Sequence, residues 1–437
     1  MNRQKYLQFV LETLLKVKTL KQAYEVFWKI YFDNNVTCKS KCGRNLRIVI
    51  LNTPCWGYGD VIFAEKLASY LRKWYGATVK IATPQPQKFI NLGASTKNLI
   101  KLGSRKRLRS QCRRFRLLQF QTLDGKKIDV PKFDLILVAP VQQDYDVDRS
   151  DVKSLVPYSN IFNTFFFSEY NDYLDKNFDF PIGVGGKRLG IFLTTPKFPK
   201  RKLKQLKNPY AFVYIAEGTG GTIPKTYECF LGFAELVSKK YKHYKKFDIV
   251  IPAWISKQIL KRKKVLAKEL GKYFGSASLV TKKKTTELWT GKGNNHLTFR
   301  ADIFPVPNKD MLRLIKYSIK DVLLTGDQSI TDALSCCWDK NIFYQTAPWK
   351  EDLAHNLAKY LPNKYLLKKR TTCGTVKAIK YKSNYSKFVR DWDFRTRGKP
   401  KLDAIILATK SAKLKNIKNL QEMILSVRSV ETLKDNL

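Results

Sequence analysis

The sequence predicts an α/β protein with two parallel-sheet domains that face a cleft and with helical extensions at both chain ends. A strand, a glycine loop, a helix and a second strand follow one another over residues 46–83, and a similar series begins at residue 211. Strands that are joined by a helix lie parallel, so each series indicates a parallel sheet. A basic stretch with two prolines separates the two series at 196–208, and it is predicted to be a linker.

Composition and periodicity set the predicted boundaries. The N-terminal segment is amphipathic with one apolar helical face, and the chain beyond residue 362 is basic and irregular until a helical pattern returns at 402–432. That last helix is expected to pack back onto the first domain. The predicted units are a helical extension at 1–44, a first domain at 45–195, the linker at 196–208, a second domain at 209–362 and a C-terminal extension at 363–437.

The first domain is predicted to begin with a β-branched strand at 46–52, which leads into the loop TPCWGYGD at 53–60. Apolar residues then recur at helical spacing over 61–74, and TVKIAT at 78–83 has the pattern of a strand. DLILVAP at 134–140 is predicted to be a further buried strand.

The second domain repeats this order. AFVYIAE at 211–217 is a predicted strand, and a glycine-rich turn separates it from a helix that begins near Pro224 and ends near Tyr241. The remaining elements are expected to be strands at 247–252, 301–306, 321–326 and 341–345, and helices at about 255–273 and 308–318.

The charge of the chain is strongly unbalanced. Its 437 residues include 82 Lys and Arg against 36 Asp and Glu, which gives a net charge of +46. With 44% hydrophobic residues, wholesale disorder is excluded. The basic excess predicts a large anionic partner, which could be nucleic acid, an acidic glycan or a membrane surface. The densest run, 101–116, has eight basic residues and no acidic one.

Targeting and metal signals are weak. The N-terminus lacks the apolar core of a signal peptide, and no run of about 18 apolar residues predicts a membrane span, so a cytoplasmic location is expected. The eight cysteines are then predicted to be reduced thiols. No Cys and His cluster has zinc spacing, and DYDVD at 144–148 is expected to be an acidic loop, so no metal site is predicted.

The loop at 53–60 is the first candidate site. Gly57 and Gly59 would allow a ligand to approach the backbone closely, and the start of the following helix favours an anion. Asp60 is either the N-cap of that helix or a general base that faces an acceptor hydroxyl or amine.

The second candidate site is EGTGG, which begins at Glu217. Backbone amides of its small residues could bind a pyrophosphate, or the segment could be only a tight turn between strand and helix. The residues assigned to donor binding here are Gly218, Thr219, Gly220 and Gly221.

The third candidate site is TGDQSITDALSC at 325–336, where a strand leads into a helix. Asp327, Gln328 and Ser329 would then lie near phosphate or ribose groups, with helix capping by Ser329 as the alternative. Gln345 ends the neighbouring strand and is expected on the same edge of the sheet. Trp254 follows the strand at 247–252, and it could stack on a nucleobase or fill the core.

These features resemble the GT-B glycosyltransferases, whose two Rossmann-like halves bind the acceptor and the nucleotide sugar on opposite sides of a cleft. The resemblance covers about residues 45–360. GYGDVIFAEKLASYL at 57–71 is similar to the N-terminal loop and helix of bacterial protein-arginine rhamnosyltransferases, and 325–336 resembles their nucleotide-binding loop.

The resemblance implies that Asp60 is the catalytic carboxylate and that Asp327 and Ser329 contact the donor diphosphate. It also implies transfer without a bound metal or other cofactor. Trp56 stands where that family has an acid, and Gln328 replaces a second acid. We therefore carry over the GT-B class alone, without the rhamnosyl donor or the arginine acceptor.

The predicted function is sugar transfer from a nucleotide sugar to an acceptor that could itself be anionic or macromolecular. The alternative is a catalytically inactive GT-B-like structural protein that binds nucleic acid or an anionic assembly, as a viral or nucleoprotein component would. The net charge of +46 favours this alternative, because a donor diphosphate needs only a few positive charges.

Overall fold

A computed structural model gives the fold of the chain. It describes residues 41–54, 57–104, 118–128, 133–141, 164–172, 178–193, 201–217, 226–337, 339–361, 365–372, 374–380 and 385–414. The predicted N-terminal helix, most of the basic run, the acidic loop at 144–148 and the glycines at 218–221 lie outside these residues.

The first domain is built on a six-stranded sheet with the order β4-β3-β2-β1-β5-β6. Only the β3–β4 pair is antiparallel. The central strand β1 is buried except at its first residue, as expected for a strand covered on both faces. The strands are β1 Arg47–Leu51, β2 Thr78–Thr83, β3 Leu99–Ser104, β4 Leu118–Gln121, β5 Leu135–Val141 and β6 Thr164–Ser168.

Helix α1, Gly59–Tyr70, connects β1 to β2 and continues as a π-helical turn over Leu71–Tyr75. It buries apolar residues at helical spacing against the sheet. Gly76 ends it in a left-handed conformation, with φ of 68°, which glycine adopts at little cost. A short helix α2, Pro86–Asn91, follows β2.

The second domain is built on a nine-stranded sheet with the order β10-β9-β11-β8-β7-β12-β13-β15-β14. The six strands from β9 to β13 in this order are parallel, and β10, β15 and β14 are antiparallel to their neighbours. The strands are β7 Tyr210–Tyr214, β8 Lys246–Val250, β9 Ser276–Val280, β10 Thr285–Thr290, β11 His296–Arg300, β12 Asp321–Leu324, β13 Asn341–Tyr344, β14 Tyr365–Arg370 and β15 Thr375–Lys380.

Helices connect these strands in the manner of a Rossmann-like domain. They are α3 Thr226–Tyr241, α4 Ala253–Lys261, α5 Lys263–Leu270, α6 Asn308–Tyr317, α7 Asp327–Cys336 and α8 Glu351–Tyr360. The predicted fold class, an α/β chain with two domains rich in parallel strands, is therefore confirmed.

The chain then returns to the first domain through α9 Tyr385–Trp392, α10 Phe394–Arg397 and α11 Lys399–Leu414. Phe394 is fully buried, with its ring 4.7 Å from that of Phe192. The hydroxyl of Tyr75 donates to Asp403 Oδ1 at 2.7 Å. The expected return of the C-terminal helix to the first domain is confirmed for the part that the structure describes.

Three sequence expectations are wrong. Residues 301–306 are not a strand, because the hydrogen bonding between strands ends near Ala301 and two prolines, Pro305 and Pro307, follow. The burial of Ala301 and Ile303 gives this segment the alternating pattern of a strand without strand pairing. The stretch after residue 362 is not irregular throughout, because β14 and β15 belong to the second sheet. Cys42 is disulfide-bonded, whereas Cys229, Cys336 and Cys337 are free thiols.

One of the hydrophobic core clusters spans both domains. A single cluster of buried residues includes Ile48 and Leu67 of the first domain together with Ile330 and Leu353 of the second. The contact between the domains is thus part of the protein interior, and it fixes the position of one sheet relative to the other. In the part of the chain described, no helix is long and apolar enough to cross a membrane.

Candidate active site

Both sheets have a topological switch point, where successive strands are added on opposite sides of a central strand. In the first sheet, β2 and β5 flank β1; in the second, β8 and β12 flank β7. Ligands of α/β proteins bind in the crevice outside the carboxyl ends of such strands. The candidate loops at 53–60, 217–221 and 325–329 leave β1, β7 and β12, so all three begin at these crevices.

The first loop is open above its glycines. A Cβ on Gly59 would meet no atom within 4 Å, and a Cβ on Gly57 would meet only the Gly59 backbone nitrogen at 3.8 Å. Neither glycine has a left-handed backbone. Internal packing therefore does not require glycine at these positions, and the space above them is free for another molecule.

Asp60 lies in the first turn of α1, and Tyr58 occupies the N-cap position without a side-chain hydrogen bond. The alternative in which Asp60 is the N-cap is therefore wrong. Asn52, at the end of β1, donates from Nδ2 to the backbone oxygens of Asp60, at 3.0 Å, and Ala139, at 2.8 Å. This amide fixes the start of α1 to the crevice between β1 and β5.

The second loop is described only at its margins. The side-chain amide of Gln345 accepts a hydrogen bond from Ala216 N at 3.0 Å, and it donates to Ala216 O at 3.2 Å and Thr226 Oγ1 at 3.1 Å. Gln345 therefore joins the two ends of the segment that contains the glycines. Its amide is engaged in holding this loop.

Trp254 is half-buried and packs against the core of the second domain. Its indole N–H donates to the backbone oxygen of Ile215 at 3.2 Å. Of the two alternatives for this residue, the structure favours the core contact, because both the ring and its polar atom have partners inside the domain.

The third loop begins at Gly326, which has φ of 74° and would meet no atom within 4 Å if it carried a Cβ. Gly326 is the N-cap of α7, and no side chain caps this helix. Ser329 is buried inside the first turn, so the capping alternative for Ser329 is wrong. The first backbone amides of α7 are left to other partners.

Asp327 belongs to a buried ion cluster that sequence inspection missed. Lys350 Nζ lies 2.7 Å from Asp327 Oδ2 and 2.6 Å from Glu169 Oε2. Glu169 follows β6 of the first domain, so this cluster joins the two domains. Burial raises the pKa of Asp327 to about 6, although Lys350 opposes the shift. Its second oxygen, Oδ1, is buried without a hydrogen-bond partner.

Gln328 is also buried, and its Nε2 donates to Thr331 Oγ1 at 3.0 Å and to Asp332 Oδ1 at 3.2 Å. Asp332 in turn forms a 2.6 Å ion pair with Lys66 of α1. The two helices that begin at the switch points are thereby in direct contact, with an ion pair that is almost entirely shielded from water.

A cavity of about 250 Å³ lies beside this contact. One wall is a face of α1, and Asn308 at the start of α6 belongs to the other domain. Glu65 lies in the α1 wall, and burial raises the pKa of its carboxyl group. The cavity lining consists of Ile62, Glu65, Lys66, Ser69, Leu92, Gly93, Ala94 and Asn308. Among the described residues, no group of three or more His, Cys, Asp or Glu side chains could hold a metal ion.

Comparisons with known proteins add little to this geometry. No protein-family model and no curated protein matches the chain. Among solved structures, the chain is similar to an O-GlcNAc transferase mutant from Thermobaculum terrenum, with a TM-score of 0.35 and 11% identity over 97% of this chain and 74% of that one. A likeness at this TM-score carries no weight for function.

Proposed function

We propose that the protein is a glycosyltransferase of the GT-B type, which moves a sugar from a nucleotide-sugar donor to an acceptor in the cleft between its domains. One observation supports this most strongly. The glycine loops of both domains begin at the switch points of their sheets, and the helices that follow two of them touch across the domain boundary through Lys66 and Asp332.

The donor is assigned to the second domain. The diphosphate would bind the backbone amides at the start of α7, where Gly326 leaves open space and no side chain caps the helix. Asp327 forms an ion pair with Lys350, so we assign it to positioning that cation instead of direct contact with the sugar nucleotide. In this assignment the N-terminus of α7 is the group that stabilises the leaving diphosphate without a metal.

The acceptor is assigned to the first domain, with Asp60 as general base. In the proposed step, an acceptor hydroxyl or amine gives its proton to the Asp60 carboxylate and forms a bond to the anomeric carbon, while the bond from that carbon to the diphosphate breaks. Asn52 fixes the turn that holds Asp60, which supports a defined position for this carboxylate.

Isothermal titration with UDP-, GDP- and dTDP-sugars tests donor binding directly. Transfer or donor hydrolysis is then compared between the wild type and Asp60→Asn, with Asp124→Asn as the control because Asp124 lies on an exposed turn. We expect Asp60→Asn to lower turnover about 100-fold or more without changing the donor Kd, and Asp124→Asn to have no effect. A folded protein that binds none of these donors would refute the proposal.

The inactive structural protein remains a second candidate for one reason. Asp327 and Asp332, both in the helix α7 of the proposed donor site, form ion pairs with Lys350 and Lys66, which would close the cleft to a ligand. This candidate predicts neither transfer nor donor hydrolysis, together with nucleic-acid binding that falls steeply as salt is raised.

A further inference from the structure

Helices α4 and α5 expose a surface that sugar transfer does not require. Leu260 is 44% exposed and Val265 is 49% exposed, and among the described residues no other large hydrophobic side chain is exposed. Leu260 lies near the end of α4 and Val265 near the start of α5, on either side of the junction at Arg262. We call these two exposed aliphatic side chains, one on each helix, the apolar pair.

The inward sides of the same helices fill the core of the second domain. Ile255 and Ile259 of α4 and Leu266 and Leu270 of α5 are fully or almost fully buried. Folding of the domain thus buries these four residues and leaves Leu260 and Val265 about half exposed to water. Covering the exposed part of these two side chains with an apolar phase would be favourable.

Positive charge surrounds the apolar pair. Lys261, Arg262, Lys263 and Lys264 lie between Leu260 and Val265, and all four are exposed. Arg262 pairs with Glu228 at 3.6 Å, whereas the three lysines form no ion pair with any residue that the structure describes. Lys257 and Lys268 add two more exposed cations on the same helices. We call residues 257–268 the α4–α5 surface.

We propose that the α4–α5 surface docks on an anionic lipid bilayer, with its lysines at the headgroups and Leu260 and Val265 inserted at the boundary of the acyl chains. Cations beside exposed aliphatic side chains are the combination that binds such an interface. Nucleic acid offers phosphates but no hydrocarbon phase for these side chains. Residues 257–268 also lack any aromatic side chain on which bases could stack.

Vesicle flotation of the full chain tests this proposal, with phosphatidylcholine vesicles that either contain or lack phosphatidylserine. One variant combines Lys261→Gln with Lys264→Gln, and another combines Leu260→Ser with Val265→Ser. The matched control combines Lys97→Gln with Lys187→Gln, two exposed lysines of the first domain. Circular dichroism confirms that each variant is folded, which is expected because all the replaced side chains are exposed.

We expect binding to the anionic vesicles only. The lysine variant should reduce partitioning about 25-fold, since each cation near such a surface contributes about fivefold. The Leu260 and Val265 variant should reduce it about tenfold, and the control should bind within about twofold of wild type.

Three results would overturn the proposal. They are absence of vesicle binding, equal loss in the control variant, and binding that depends on the lysines but not on Leu260 and Val265. Binding to duplex DNA that is lost in the lysine variant, without vesicle binding, would identify a nucleic-acid surface instead.

Discussion

Replacement of Lys350 by methionine should destabilise the protein strongly, because this cation forms ion pairs with two carboxylates at the domain boundary. Its Nζ lies 2.7 Å from Asp327 Oδ2 and 2.6 Å from Glu169 Oε2. Methionine has nearly the same length but no charge. The Lys350→Met variant would leave both carboxylates together in a site where Asp327 is only 10% exposed.

The expected loss in the free energy of unfolding is about 3–5 kcal/mol near neutral pH, the range for breaking a buried ion pair by removing one partner. Adding Asp327→Asn should recover at least about 2 kcal/mol, because it removes one of the two stranded charges. Glu169 would then be the sole charge of the cluster, and its side chain retains some contact with water, at 14% exposed.

The same cluster predicts a pH dependence. Burial raises the pKa of Asp327 from 3.8 to about 6, so the native state binds this proton more tightly than the unfolded chain does. The associated stability is fully present below about pH 3.8 and is lost as the pH rises through about 6, a change of about 3 kcal/mol. The Asp327→Asn variant lacks this titration, so its stability relative to wild type should rise over the same window.

Urea unfolding of the four proteins in this cycle, at several pH values, provides the measurement. Lys126→Met is the control, because Lys126 and Asp124 form an exposed pair at 3.8 Å, and its effect should stay below about 0.5 kcal/mol. A loss in Lys350→Met below about 1 kcal/mol, or one that Asp327→Asn does not relieve, would refute the assignment of a buried ion cluster.

Three further outcomes are expected. Phe394→Ala should cost about 3–5 kcal/mol in urea unfolding, because the ring is fully buried in the first domain; a cost below about 1 kcal/mol would contradict this packing. Tyr75→Phe should cost about 1–2 kcal/mol through the lost hydrogen bond to Asp403, and an unchanged unfolding midpoint would contradict that bond. Gly326→Ala and Gly186→Ala should each lower the free energy of unfolding by about 1–3 kcal/mol, since both glycines have positive φ. Only Gly326→Ala should weaken donor binding in titration calorimetry. Equal donor affinities of the two variants would show that Gly326 is not part of the donor site.

The parallel framework could be predicted because its strands have local signatures. The sequence pattern predicts β2 with its observed bounds, 78–83, because Val79 and Ile81 alternate with more polar neighbours. By contrast, the sequence pattern predicts no strand at β9 or β11. Their buried positions are only Ala277 and Leu279, or Leu297 and Phe299, within otherwise polar sequence, so local composition gives a weak signal.

The candidate loops could be located from glycines that separate a strand from a helix, but the partners of their side chains could not. Lys350 and Glu169 are 181 positions apart, and Lys66 and Asp332 are 266 apart. Such contacts depend on how the two domains pack, and no local pattern specifies that. The roles of Gln345 and Trp254 as internal hydrogen-bonding residues depend on the same long-range packing.

The return of the C-terminal helices has a consequence for synthesis on the ribosome. The core of the first domain includes Phe394, Leu402 and Ile405, which are translated after the whole second sheet. N-terminal domains generally fold as soon as they emerge, but this one lacks part of its interior until more than 400 residues have been made. The second domain can therefore complete its own core first. A premature stop codon before Phe394 would leave the first domain unfolded, although the missing residues lie at the other end of the chain.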